Sequence, residues 1–229
     1  MSENITSLTS YQAGSESIEK PELTLSEKAA LDIQRAILNG EYQPEQKLGI
    51  HELAKKYELG VTPVREGLSR LVSAGLVVAI GNRGFRVAAV SKEDLNDLLT
   101  TRSLIELEAL RLSMKRGNHE WEAAIVARLH WMNQLTRSSL LEHQADEFDR
   151  VHKAFHVALI SACGSPRLIQ FHSMLYDQTF RYRRLMMGHI HDPADFQQEH
   201  QSLADKVINR DIEGACSHLY NHVRLVIPE

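Results

Sequence analysis

Residues 60–77 read Gly60-Val61-Thr62-Pro63-Val64-Arg65-Glu66-Gly67-Leu68-Ser69-Arg70-Leu71-Val72-Ser73-Ala74-Gly75-Leu76-Val77, and this stretch decides the N-terminal architecture. Val64, Leu68, Leu71 and Val72 recur at helical spacing, so one face of the segment turns inward. Thr62, Arg65 and Ser69 fall on the opposite face near the helix start, where a recognition helix meets base edges and phosphates in a DNA major groove. Gly75 stops the helix. Leu76–Ile80 then reads as a short apolar strand, Gly81-Asn82-Arg83-Gly84 as turn chemistry, and Phe85-Arg86-Val87 as an alternating return strand.

The residues upstream complete a unit. Ser26 is placed to cap a helix carrying Ala29, Ile33, Ala36 and Ile37, which ends at Asn39-Gly40. Leu48 and Ile50 lead into a second short helix, His51–Tyr57, with Leu53 and Ala54 facing the core. Lys55 and Lys56 sit where such a helix crosses the phosphate backbone. Each piece alone is an ordinary amphipathic helix. The series helix, short helix, helix and hairpin predicts a winged helix-turn-helix over residues 26–90.

The motifs Pro63-Val64-Arg65-Glu66, Leu68…Leu71…Gly75-Leu76 and Asn82-Arg83-Gly84-Phe85 resemble the N-terminal domain of the GntR family of bacterial transcription regulators. The resemblance implies that Thr62 and Arg65 contact DNA and that Gly84 lets the wing tip approach the minor groove. Many members carry Ser-Arg-Thr before Pro-Val-Arg, whereas this chain has Gly60-Val61-Thr62. Val61 thus replaces a DNA-contacting arginine, and an apolar side chain there suits a thymine methyl group. The DNA-binding set is Lys55, Val61, Thr62, Arg65, Ser69, Arg83 and Gly84.

The bulk properties allow one large or two ordinary domains. The chain has 229 residues, 43% hydrophobic and 24% charged, as for a soluble globular protein. Residues 1–25 are polar and Ser-rich, with no signal-peptide core, and read as a disordered tail. No apolar run approaches the roughly 20 residues that span a bilayer. Only Cys163 and Cys216 occur, which fits a reducing cytoplasm rather than a disulfide scaffold. The net charge is −4, unpromising for a nucleic-acid binder until it is divided. Residues 26–90 hold nine Lys/Arg against seven Asp/Glu, while residues 1–25 hold one against four. Lys55, Lys56, Arg65, Arg70, Arg83 and Arg86 give the N-terminal unit its electrostatic footprint. The excess is small, so dimerisation on an inverted repeat of double-stranded DNA is expected to supply affinity.

After Ser91 the pattern becomes helical throughout. Breaks at Gly117-Asn118, Ser138-Ser139, Gly164-Ser165-Pro166, His191-Asp192-Pro193 and Arg210-Asp211 predict six helices near 92–116, 119–137, 140–163, 166–189, 194–209 and 212–225. Short connections favour an antiparallel bundle over residues 91–229. The fold class is therefore mainly α: a winged helix-turn-helix followed by an all-helical bundle.

The third of these helices places Asp149, His152 and His156 within about 60° of arc. His200 shares a face with Leu203, Ala204 and Val207, and His222 lies beside Leu219 and Val223. Each could be a core histidine bonded to a neighbour. Ligands one turn apart on one helix, plus one from each of two others, are also how bundles build metal sites. Nitrogen-rich ligation favours zinc, nickel, copper or iron over magnesium or calcium. The segment resembles the FadR C-terminal (FCD) effector domain of one GntR subfamily, many of whose members hold a divalent metal in their cavity. The resemblance implies Asp-x-x-x-His on one helix, then two histidines 22 residues apart, as His200 and His222 are. His156 matches the second ligand. The first position holds His152 instead of Asp, with Asp149 three residues earlier, so either is a candidate. The run His-x-x-Phe-His, His152 to His156, looks similar to the glutarate-responsive carbon-starvation repressors within that subfamily.

Arg102 matches the first-helix arginine of the family and has Glu106 one turn on. With Tyr176 and Arg183 it forms a candidate effector site, since a guanidinium binds a carboxylate through two parallel hydrogen bonds. The competing roles are an intrahelical pair for Arg102 and a solvated basic face for Arg181–Arg184. The function expected is a ligand-responsive repressor of a catabolic operon, acting as a homodimer and released by a small organic acid. Two rivals are a metal-responsive sensor and a His-ligated metal-dependent hydrolase. The chain lacks His-Glu-x-x-His, a Gly-rich phosphate loop and Gly-x-Ser-x-Gly, which argues against an enzyme.

Overall fold

The computed structural model describes residues 23–137, 145–186 and 192–224. The N-terminal tail over 1–22, the start of the third predicted bundle helix, the end of the fourth and residues 225–229 lie outside the described residues.

The first helix, α1 (Leu25–Leu38), is capped by Thr24, not Ser26. Thr24 Oγ1 accepts from the Glu27 amide at 3.2 Å and the Glu27 carboxylate accepts from the Thr24 amide at 3.0 Å. This reciprocal capping box satisfies two orphan donors. Ser26 is instead buried in the first turn. Helix α2 (Ile50–Lys56) and helix α3 (Val61–Ser73) follow. Ala29, Ile33, Ile37, Leu53, Val64, Leu68 and Leu71 close one core. Gly67 is what lets α1 and α3 approach: a Cβ there would lie 2.9 Å from both Ala29 Cβ and the Ala30 amide nitrogen.

Three strands form the wing. Strands β2 (Val77–Ala79) and β3 (Phe85–Val87) pair antiparallel, with Val78 opposite Arg86. A two-residue strand β1 (Lys47–Leu48) adds to the other edge of β3. Sequence reasoning took Leu48 only as a lead-in to α2, because two residues carry no detectable alternation. The wing tip is a single 3₁₀ turn, Gly81–Arg83, closed by Gly84 at φ +96°.

Six helices make the second body: α4 (Lys92–Arg116), α5 (His119–Arg137), α6 (Ala145–Ile160), α7 (Pro166–Met186), α8 (Pro193–Ile208) and α9 (Ile212–Arg224). Ser91 caps α4 by accepting from the Asp94 amide, and Asp192 caps α8, which has proline in its first turn. Leu99, Leu110, Ile125, Met132, Phe155, Leu159, Leu203 and Leu219 are buried in a separate, larger core.

Helix α7 joins the two bodies. Gln178 Nε2 donates to the carbonyl of Ala74, the C-cap of α3, at 2.8 Å. Gly75, at φ +72°, makes room, since a Cβ there would meet Gln178 Nε2 at 2.6 Å. Arg181 donates to the carbonyls of Ala88 and Ala89 at 3.1 and 2.9 Å, just past β3. Asp177 accepts from Gln34 of α1 at 2.8 Å and from Lys153 of α6 at 2.6 Å. Arg181 is thus buried at the junction and is not part of a solvated basic face. Burial lowers its basicity, against the attraction of Tyr182.

Candidate nucleic-acid interface and metal centre

On α3, Val61, Thr62, Arg65, Ser69 and Arg70 are exposed on the face opposite the core. Ser69 Oγ donates back to the Arg65 carbonyl at 3.0 Å. Three of the six cations expected in the footprint are tethered. Lys56 pairs with Glu41 at 2.8 Å, Arg70 lies 3.7 Å from Glu27, and Arg86 donates to the Glu45 carbonyl at 2.9 Å. Lys55, Arg65 and Arg83 are exposed and enter no ion pair among the described residues. They lie on α2, α3 and the wing in turn, so the untethered charge spans the three elements that a winged helix presents to a duplex.

In the bundle, α6, α8 and α9 bring His152, His156, His200 and His222 together, with one nitrogen from each lying within 4.8 Å of the others. His152 Nε2 is 2.9 Å from His200 Nε2 and 3.1 Å from His156 Nε2. Nitrogen donors about 2.0–2.1 Å from a common ion adopt separations of this order. The partners behind the rings fix their orientation. His200 Nδ1 donates to the Phe196 carbonyl at 2.7 Å and His156 Nδ1 donates to Glu106 at 3.0 Å. Each therefore turns an Nε2 lone pair inward, the arrangement that holds metal-ligating histidines. Burial holds His156 down to about 4, against the pull of Glu106, and His200 down to about 3. Burial, Arg183 and the other rings keep His152 well below its usual range. Burial, with His200 and His156 next, does the same for His222. Four neutral imidazoles are what ligation requires.

Asp149 stands outside this group of four, with Oδ1 3.4 Å from Arg183 Nη2. Arg183 Nη1 and Tyr176 Oη both reach His152 Nδ1, at 3.1 and 2.9 Å. Arg102 is buried; its Nε donates to Glu106 at 2.8 Å and its guanidinium carbon lies 4.8 Å from the Tyr176 ring centroid. The structure thus realises the Arg102–Glu106 pair and also points it at the histidine cluster.

Glu106 is the hub that sequence reasoning undervalued. One carboxylate oxygen takes Arg102, and the other faces His156 at 3.0 Å and His172 at 3.2 Å. Burial alone would raise its pKa, but Arg102 and the two histidines hold it well below the usual carboxylate range. His172, also fully buried, is absent from the site residues that the sequence predicts. The signal was present: 172, 176 and 183 share one face of α7 at i, i+4 and i+11.

An exposed recognition helix with a basic wing, docked on a helical domain with an internal cluster of histidines, defines a DNA-binding regulator. The comparisons agree. Residues 25–87 match the model described as bacterial regulatory proteins, gntR family, and residues 97–225 match the FCD domain. The chain belongs to the GntR family of transcription regulators and carries an FCD domain. It is 34% identical over 200 residues to the HTH-type transcriptional repressor GlaR of Escherichia coli K12, covering 86% of this chain and 91% of that protein. It is 37% identical over 189 residues to the HTH-type regulator BphR of Paraburkholderia xenovorans LB400, covering 82% and 77%. E. coli McbR/YncC shares the fold at a TM-score of 0.72 and 21% identity, over 89% of this chain and 95% of that one. The family and these relatives are transcription regulators, which sets the hydrolase alternative aside. Among the described residues no helix is long and apolar enough to cross a membrane.

Proposed function

We propose that this chain is a homodimeric repressor of a catabolic operon, with residues 26–90 binding an inverted repeat and residues 91–229 holding a divalent metal and a small carboxylic acid. The acid releases DNA by binding more tightly to the DNA-incompetent arrangement of the two winged domains. Repression follows the name of the relative GlaR. The observation that carries the proposal is the constellation of four histidines, three of them buried and His222 half-buried, with the buried Arg102. His156, His200 and His222, with His152 or Asp149, would hold the ion, and zinc, nickel or iron suits such donors. Bound there, the ion would supply a Lewis-acidic anchor for a carboxylate. Arg102, steadied through Nε by Glu106, would offer its two Nη groups to the same anion. Tyr176 and Arg183 border that space. Metal as the effector itself is a second reading, supported by the same cluster.

The DNA arm predicts that Arg65→Ala weakens operator binding by about 1–3 kcal/mol if Arg65 reads a base. Mobility shifts on the promoter of the chain's own operon test it, and unchanged affinity would sink that assignment. Titrating small mono- and dicarboxylates against the protein–DNA complex separates the two effector readings. Release by an acid at constant metal supports the first, whereas release by chelation alone supports the second.

A further inference from the structure

The outer nitrogen of His152 faces a group that can only donate, whereas those of His156 and His200 face acceptors. An arginine N–H has no acceptor capacity, so Nη1 of Arg183, 3.1 Å away, requires the lone pair of His152 on Nδ1. A neutral imidazole has one N–H and one lone pair. The proton then lies on Nε2, pointing at the inward lone pairs of His156 and His200 at 3.1 and 2.9 Å. In that tautomer His152 cannot ligate through Nε2. Ligation requires the proton on Nδ1, and only Tyr176 Oη, 2.9 Å away, can accept it there. Arg183 has somewhere else to go: its Nη2 already lies 3.4 Å from Asp149, and the pair sits at the partly exposed rim of the cluster.

We propose that Arg183 and Tyr176 act on His152 in opposite senses, Arg183 holding it in the non-ligating tautomer and Tyr176 supporting the ligating one, so that an anion which draws Arg183 away tightens the metal. This rests on the four-histidine cluster being a metal site. The step is a proton relocation from Nε2 to Nδ1 of a neutral ring, with no change of charge. Because coupling between two ligands is reciprocal, the metal tightens the anion by the same factor. The cluster would then sense an acid and an ion together.

The test uses the full untagged chain, stripped by chelator, with zinc affinity read by competition against a chromophoric chelator. Arg183→Ala is expected to tighten zinc and Tyr176→Phe to weaken it, each by about tenfold, the lower end of what partners behind a ligand contribute. Removing Arg183 also removes a positive charge beside a cation, so the decisive arm is a cycle with His152→Ala. In that background the Arg183→Ala gain disappears if it acts through His152. A gain that persists is simple charge repulsion and overturns the proposal, as does weaker zinc binding in both single variants. Wild-type protein that binds no zinc, nickel or cobalt removes the metal reading itself, a result distinct from zinc binding that ignores Arg183.

Discussion

Replacing Glu106 by Gln removes one charge and keeps the shape. The carboxylate serves two sides at once: Oε2 accepts from Arg102 at 2.8 Å, and Oε1 accepts from His156 at 3.0 Å while His172 Nε2 lies 3.2 Å away. An amide has one acceptor oxygen, so glutamine satisfies one side and turns an NH₂ group toward the donors of the other. Glu106 and Arg102 are both buried, and breaking a buried pair by removing one partner costs about 3–5 kcal/mol. At roughly 2–4 °C per kcal/mol for a chain of this size, the melting temperature should fall by about 6–20 °C. His156 loses the acceptor that fixes its Nε2 lone pair inward, so zinc affinity should fall by about 10–100-fold. Thermal unfolding with and without chelator, and zinc competition, measure both effects. A melting temperature within about 2 °C of wild type would refute the energetic argument. Lower stability with unchanged zinc affinity would show that Glu106 props the bundle and does not orient His156.

His200→Ala with His222→Ala should abolish near-stoichiometric metal in elemental analysis, and should remove the roughly 2.7 kcal/mol that a ligand at a hundred times its Kd confers; full occupancy in the double variant would end the assignment. In chelator-treated protein the buried histidines, faced by Arg102, Arg183, Glu106 and Tyr176, titrate below the unfolded value of 6.5, near 4 for His156 and 3 for His200. The unfolded chain therefore binds more protons below pH 6.5, and stability present above that pH drains away toward pH 4 at about 1.4 kcal/mol per pH unit per histidine. A melting temperature that stays flat from about pH 7 to 5 contradicts neutral buried rings. Arg181→Ala strands two carbonyls and deletes charge-assisted bonds of about 1.5–3 kcal/mol each, so calorimetry should resolve separate unfolding of the two cores; one unshifted transition would show that the junction is held elsewhere.

The fold was legible where a periodic pattern met a terminator. All six bundle helices announce themselves through turn residues such as Gly117-Asn118 and His191-Asp192-Pro193, and the structure begins α4, α5 and α7 at the residues those breaks imply. Local competition between near-equivalent signals was not legible. Thr24 and Ser26 are both good caps, and what separates them is Glu27, which sits three residues after Thr24 and closes the box. Strand β1 is invisible because its existence depends on the Phe85–Val87 edge arriving beside it. In the candidate site, the four clustered histidines stood out by spacing, and Arg102 by its match to the family's first-helix arginine. Glu106 did not, since a single buried glutamate on a long helix has no local signature. Glu106 looks like half of a surface ion pair until three other helices are placed around it.

Helix α7 shows why burial of charge is the hardest thing to read from one chain. Asp177, Arg181 and Arg183 lie among exposed-looking polar residues in the sequence, yet each meets a different neighbour. Tyr176 and Arg183 touch His152, while Asp177, Gln178 and Arg181 grip α1, the end of α3 and the segment after β3. Adjacent residues on the same rigid helix thus hold the ligand cluster and the DNA-binding core. Lys153, the neighbour of His152 on α6, meets Gln34 of α1 on the same Asp177 carboxylate. Hydrogen bonds weaken steeply with distance and angle. A movement of α7 itself would therefore strain the Gln178–Ala74 and Arg181–Ala88 bonds together with the contacts at His152, whereas a change confined to the Arg183 side chain, which already reaches both His152 and Asp149, would leave them in place.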